Sequence, residues 1–191
     1  MLDITLKGYK KFYGPLNRSE DYRSPRDKDG HGTHTASIIG GRRVPNISAI
    51  GGFAHGTASG GAPLVRLSIY KVCWPKPGEK STCSDADKLA AIDDAIADGV
   101  DVLSISIGTE YPLPYIEDSI AIGALHACYE EKHCGVMFCR QLWPRTFNFI
   151  PPGSMVITVG ASSVDREFFS PVVLGNGMRI KVRTYIRYEN F

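Results

Sequence analysis

Two histidines, His31 and His34, stand in the run SPRDKDGHGTHTASIIGG, with Asp27 and Asp29 just before them and small residues after. A histidine at the start of a helix faces backbone N–H groups that disfavour a positive charge, and this favours a neutral imidazole able to accept a proton. That is the form a general base takes. The flanking glycines leave room for a substrate or a second reacting group beside the ring. Two other readings fit the same residues. The histidines could simply cap and cover a helix, or they could join Asp27 and Asp29 in holding a metal. The run lacks the glutamate of an H-E-x-x-H helix, and no metal is expected.

The elements around this run follow from periodicity. Residues 1–30, punctuated by YGPLN and RSPRDKDG, read as irregular surface chain, with the first regular element at the histidines. THTASIIGG predicts a short helix from about His31, stopped by Gly40 and Gly41. LVRLSIYKV alternates apolar and polar residues, as a half-buried strand does. In SDADKLAAIDDAIADG, Ser84 is the N-cap with Asp87 three residues on. Leu89, Ile92 and Ile96 share one face, and Gly99 supplies the stop. VDVLSISIG reads as a strand covered on both faces and ended by Gly108. A second helix fits YIEDSIAIGALHACYEEKHCG, followed by strands VMFC and MVITVGAS. The order β-α-β-α-β calls for crossover helices and a parallel sheet, hence a layered α/β fold. RQLWPRTFNFIPPG, between Cys139 and Ser154, fits neither period.

Composition narrows the partners. With 191 residues, 43% hydrophobic content and a formal charge of +2, the chain reads as an ordinary folded domain or a large part of one. Its lysines and arginines are scattered rather than striped, so neither nucleic acid nor an anionic membrane is an expected partner. No apolar run reaches the length of a membrane span, and MLDITLKGYKKFYG lacks the apolar core of a secretion signal. The five cysteines are Cys73, Cys83, Cys128, Cys134 and Cys139. Cys73 and Cys83 flank the loop CWPKPGEKSTC and could form a disulfide or remain two thiols. The sequons NRS at Asn17 and NIS at Asn46 point toward an extracellular route.

DGHGTHTAS resembles the histidine motif of subtilisin-like serine proteases in their plant-type, cucumisin-like form. GPLNRSEDYRSPRDKDGHGTHTAS, GTASGGAPLVRLSIYKVCW, CSDADKLAAIDDAIADGVDVLSISIG and VITVGASSVDREFFSPVVLGNG extend the resemblance, in the family's order and spacing. The resemblance implies part of a three-layer α/β/α fold with a mainly parallel sheet. It implies a secreted serine endopeptidase that needs no cofactor, with a polypeptide substrate and a propeptide as partners. His31 matches the catalytic histidine, which takes a proton from a serine and returns it to the leaving amine, and His34 would be structural. Ser106, Ile107 and Gly108 match one wall of the primary specificity pocket, where backbone pairs with an extended substrate. A Cys73–Cys83 bridge is implied as well.

The rest of the triad is harder to place. The family's aspartate belongs in a D-[ST]-G setting on a strand well before the histidine, and the chain is expected to start after it. Asp3, in LDIT, lacks that setting, and Asp29 is read as ordering the histidine turn. The nucleophile belongs in a G-T-S-M-[AS] run that is expected beyond Phe191. Ser154, in Gly153-Ser154-Met155, runs straight into a strand rather than a helix. The oxyanion asparagine should follow VMFC, where RQLWPRTFNF stands instead, with Asn148 out of register. The pattern breaks at Arg140 and resumes near Met155, as an altered reading frame or a retained intron would produce. Residues 1–191 are therefore expected to be part of one catalytic domain: irregular over 1–30, histidine motif and sheet core over 31–139, atypical over 140–154, strand and exit segment over 155–191. Alone it is expected to be inactive. The alternatives are a non-catalytic peptide or propeptide binder, or a remnant without function.

Overall fold

The computed structural model describes residues 7–76, 79–108, 113–131, 136–138, 156–159 and 169–183. They fall in two units, Met1–Gly160 and Ala161–Phe191.

The first unit begins with a helix, α1 (Lys7–Tyr13), which corrects the expectation of irregular chain up to the histidines. Its seven residues are too few to hold themselves helical in water. What holds them is tertiary: the fully buried Asp87 carboxylate accepts the Gly8 N–H at 2.8 Å and the Tyr9 N–H at 2.9 Å. Tyr9 is buried against Trp74, with the half-buried Leu16 packed on the pair, and its hydroxyl donates to the Pro75 carbonyl at 2.6 Å. Tyr9, Phe12 and Tyr13 do stand at the helical spacing i, i+3, i+4, but over little more than one turn before Gly14 and Pro15, too short a run to mark a helix in the sequence.

Helix α2 (His31–Gly40) ends at the expected glycines. Its last carbonyls would be orphans, but residues 60–62 supply donors. Gly61 N–H reaches Ile38 O and Ala62 N–H reaches Ile39 O, both at 2.8 Å. The approach is close enough that a Cβ on Gly60 would stand 2.5 Å from Gly41 N, and one on Gly40 would stand 2.7 Å from Val65 Cγ1. Strands β1 (Val44–Ile47) and β2 (Gly56–Ala58) pair antiparallel.

Residues 64–72, expected as a strand, pair with no strand among the described residues. Val65, Leu67 and Ile69 keep the alternation but are exposed, and only Val72 is buried. A strand exists through its ladder, and alternation in the sequence does not supply the neighbour. Next come β3 (Cys73–Lys76) and β4 (Glu79–Cys83), antiparallel, with Cys73 opposite Cys83.

Helix α3 (Asp85–Ala97) starts after Ser84 as read, but the cap differs. Asp87 turns away to hold α1, and the buried Ser84 Oγ has no hydrogen-bond partner among the described residues. At the other end Gly99, at φ +72°, lets Val100 N–H reach Ala95 O and Gly99 N–H reach Ile96 O, a Schellman closure. Strand β5 (Leu103–Ile105), helix α4 (Ser119–Glu131), strand β6 (Val136–Phe138) and strand β7 (Val156–Thr158) follow. They build a parallel sheet in the order β5-β6-β7, with Leu103 opposite Val136 and Val136 opposite Val156. The parallel part of the expected sheet is thus these three strands, and the other described strands pair antiparallel.

Helices α3 and α4 cover one face of that sheet. Ala124 and Ala127 are buried and pack with Ile96, Leu103, Ile105 and Val156. The alternate positions Ser104 and Ile157 are exposed, so the described residues show a helix layer on one face, where the sequence predicts cover on both. In the second unit β8 (Phe169–Val173) and β9 (Arg179–Arg183) form an antiparallel hairpin around Gly177, at φ +81°, in the segment read only as an exit.

Candidate active site

The histidine turn is organised by Asp27 rather than Asp29. The Asp27 carboxylate accepts the N–H of Asp29 at 3.0 Å, of Gly30 at 2.9 Å and of Thr33 at 2.7 Å. Gly30 is the N-cap residue of α2 and has no side chain to offer, so Asp27 takes the N–H of the third helical residue in its place. Gly30 sits at φ +101°, a conformation that glycine adopts freely and other residues do not. The bonds from Gly30 and Thr33, in that order of weight, hold the Asp27 carboxyl at a pKa of about 2. His31, the first residue of α2, is exposed at this pinned corner.

A second tether fixes the chain that enters the turn. Lys71 Nζ donates to both Asp21 oxygens at 2.7 Å and to the Arg26 carbonyl at 2.9 Å. The same ammonium stands 4.6 Å from the centre of the buried Trp74 ring, where the π-face adds to its stabilisation. Trp74 lies beside Cys73, and Cys73 is joined to Cys83 by a disulfide across β3 and β4. Asp21, Lys71, Trp74 and the disulfide thus form one support under residues 21–26. Sequence reasoning missed Asp21, Asp27 and Lys71. Asp27 had a signal, an aspartate three residues before a glycine, the pattern in which a carboxylate caps its own turn. The Asp21–Lys71 pair, fifty positions apart, had none.

Ser106, Ile107 and Gly108 continue from β5 past the last ladder pair, Ile105 with Phe138. Ser106 and Ile107 are half-buried and Gly108 is exposed. No hydrogen bond joins His31 to these three among the described residues. Asp3, Asn148, Ser154 and the stretch 140–154 lie outside the described residues, as do Cys134 and Cys139. Among the described residues no three His, Cys, Asp or Glu side chains gather where a metal could bind. No described helix is long and apolar enough to cross a membrane.

The Subtilase family pattern matches residues 4–141, which include the histidine turn, the tether and the strand leading to Gly108. The chain belongs to the subtilase family. It is 53% identical to subtilisin-like protease SBT5.6 of Arabidopsis thaliana across 96% of its own length, and 52% identical to SBT5.5 of the same plant across 90%. It is 49% identical to subtilisin-like serine-protease S of Lotus japonicus across 92%. The chain spans 24%, 22% and 22% of the length of these three relatives.

Proposed function

We propose that the chain carries the histidine region of a subtilisin-like serine endopeptidase and is not itself a working peptidase. His31 is the general base in this reading. Its imidazole accepts the proton of a serine hydroxyl as that oxygen attacks a peptide carbonyl, then returns it to the leaving amine. The observation that carries the reading is the pinned turn: His31 opens α2 in a G-H-G-T-H-T run, inside the family match, with Asp27 holding three N–H groups of the same loop. A base must be held in position before its proton affinity matters.

The substrate is an extended polypeptide. Ser106, Ile107 and Gly108 leave the β5 ladder, and their backbone would pair with it along one wall of the primary pocket. The family's aspartate and serine settings, D-[ST]-G ahead of the histidine and G-T-S-M-[AS], do not occur in the 191 residues. Loss of triad members removes most of the rate. The sequons and the Cys73–Cys83 bridge favour an extracellular setting for the parent protein. A propeptide is a further partner in this reading. Residues 1–191 are read as part of one catalytic domain, with 140–154 an atypical stretch within it.

One test separates this reading from its rival. A fluorogenic peptide mixture incubated with the chain should show no turnover; measurable binding of a labelled peptide without turnover supports the rival, and no binding at all removes it. The same observation about Ser106–Gly108 favours a non-catalytic peptide binder, which predicts that the binding survives His31→Ala. Turnover that disappears in His31→Ala would overturn the claim of inactivity.

A further inference from the structure

Of the two sequons, the one at Asn17 stands in a conformation suited to modification. Its side-chain Oδ1 accepts the Ser19 N–H at 3.1 Å and the Ser19 hydroxyl at 2.8 Å. Its Nδ2 donates to Glu20 Oε1 at 3.2 Å. The backbone turns in the same place, with Glu20 N–H and Asp21 N–H both donating to Asn17 O, at 3.0 and 3.2 Å. Every one of these contacts lies within residues 17–21, and Asn17, Arg18 and Ser19 are all exposed. The turn therefore needs no tertiary partner and can form in a chain still emerging from synthesis. Asn46 differs. It sits in β1 at φ +57°, its strand is held by pairing with β2, and no hydrogen bond joins it to Ser48 among the described residues.

We infer that Asn17 is an N-glycan acceptor, a site that rests on the proposed passage of the protein through the secretory route. The donor is a lipid-diphosphate-linked oligosaccharide. Asn17 Nδ2 forms a bond to the anomeric carbon while the bond from that carbon to the diphosphate oxygen breaks. The lipid diphosphate leaves with the electron pair, and one Nδ2 proton passes to a base of the transferase. The Ser19 hydroxyl, already on the amide oxygen, is the group the N-x-S/T rule requires at this distance. The glycan would stand on the loop just before Asp21, outside the turn that carries His31.

The test is translation of the full 191-residue chain behind a cleavable secretion leader, in the presence of endoplasmic-reticulum microsomes. Leader removal and protection from added protease establish import. The imported chain should carry a glycan that an N-glycan-cleaving amidase removes. Asn17→Gln and Ser19→Ala should each lose that increment, Ser19→Thr should keep it, and Asn46→Gln should leave it in place. An imported chain whose mass is unchanged by Asn17→Gln overturns the inference. A chain that is glycosylated in microsomes but bare in its own tissue instead overturns the secretory reading, so the two failures are distinguishable.

Discussion

The Asp27 carboxylate accepts the Thr33 N–H at 2.7 Å, across six residues, and so closes the loop that presents His31. Asp27→Ala opens it. Loss of a capping carboxylate costs about 1 kcal/mol, and here the loss falls on the first turn of α2. Amide exchange of Gly30 and Thr33 should accelerate in the variant, while amides of α3 keep their protection.

The same group sets an acid limit. Its folded pKa is depressed to about 2, below the ordinary carboxylate value. Its contribution to the turn is therefore complete above pH ~4 and is lost as the pH falls through about 2. Amide exchange at Thr33, corrected for its intrinsic pH dependence, should show protection falling across that window, and the fall should be absent in Asp27→Ala.

Removing Lys71 strands a buried charge. Asp21 keeps only 4% of its side-chain surface, and Lys71 12%. Breaking one side of such a pair costs roughly 3 kcal/mol. Lys71→Met should lower the unfolding free energy measured in urea by that amount, with the midpoint falling accordingly, and adding Asp21→Asn should recover part of it.

The Cys73–Cys83 bridge closes a loop of ten-residue separation, which loop-closure entropy values at about 3 kcal/mol. The Cys73→Ser, Cys83→Ser double variant should lose that stability. Trp74, now 1% exposed, should shift its fluorescence to the red at lower urea.

At Gly123 there is no room for a methyl group: a Cβ there would stand 2.5 Å from Ile92 Cδ1 and 3.2 Å from Ile92 Cβ. Gly123→Ala should therefore destabilise by about 1–3 kcal/mol through overpacking of α3 on α4, although alanine favours a helix. Adding Ile92→Val to it should relieve part of the loss in thermal denaturation.

What the sequence disclosed was local. Gly40 and Gly41 ended α2, Gly99 ended α3, and the apolar runs at Val136 and Val156 became parallel strands, because each signal acts within a few residues. What it concealed depended on distant partners. Helix α1 exists through Asp87, 79 positions from Gly8 and 78 from Tyr9, and those same bonds took Asp87 from the capping role at Ser84. Residues 64–72 had the alternation of a strand without a described neighbour. At the candidate site the motif marked His31, but the residue that closes the turn was two positions from the one chosen, since Asp27 and Asp29 look alike until the backbone donors are placed.

Hydrolysis of a fluorogenic peptide by the purified 191-residue chain, measured beside His31→Ala, tests the central claim most directly. The account predicts no turnover above buffer for either protein. Turnover by the unaltered chain that vanishes in His31→Ala would contradict it, by showing that a nucleophile and an acid for His31 are already present in these residues.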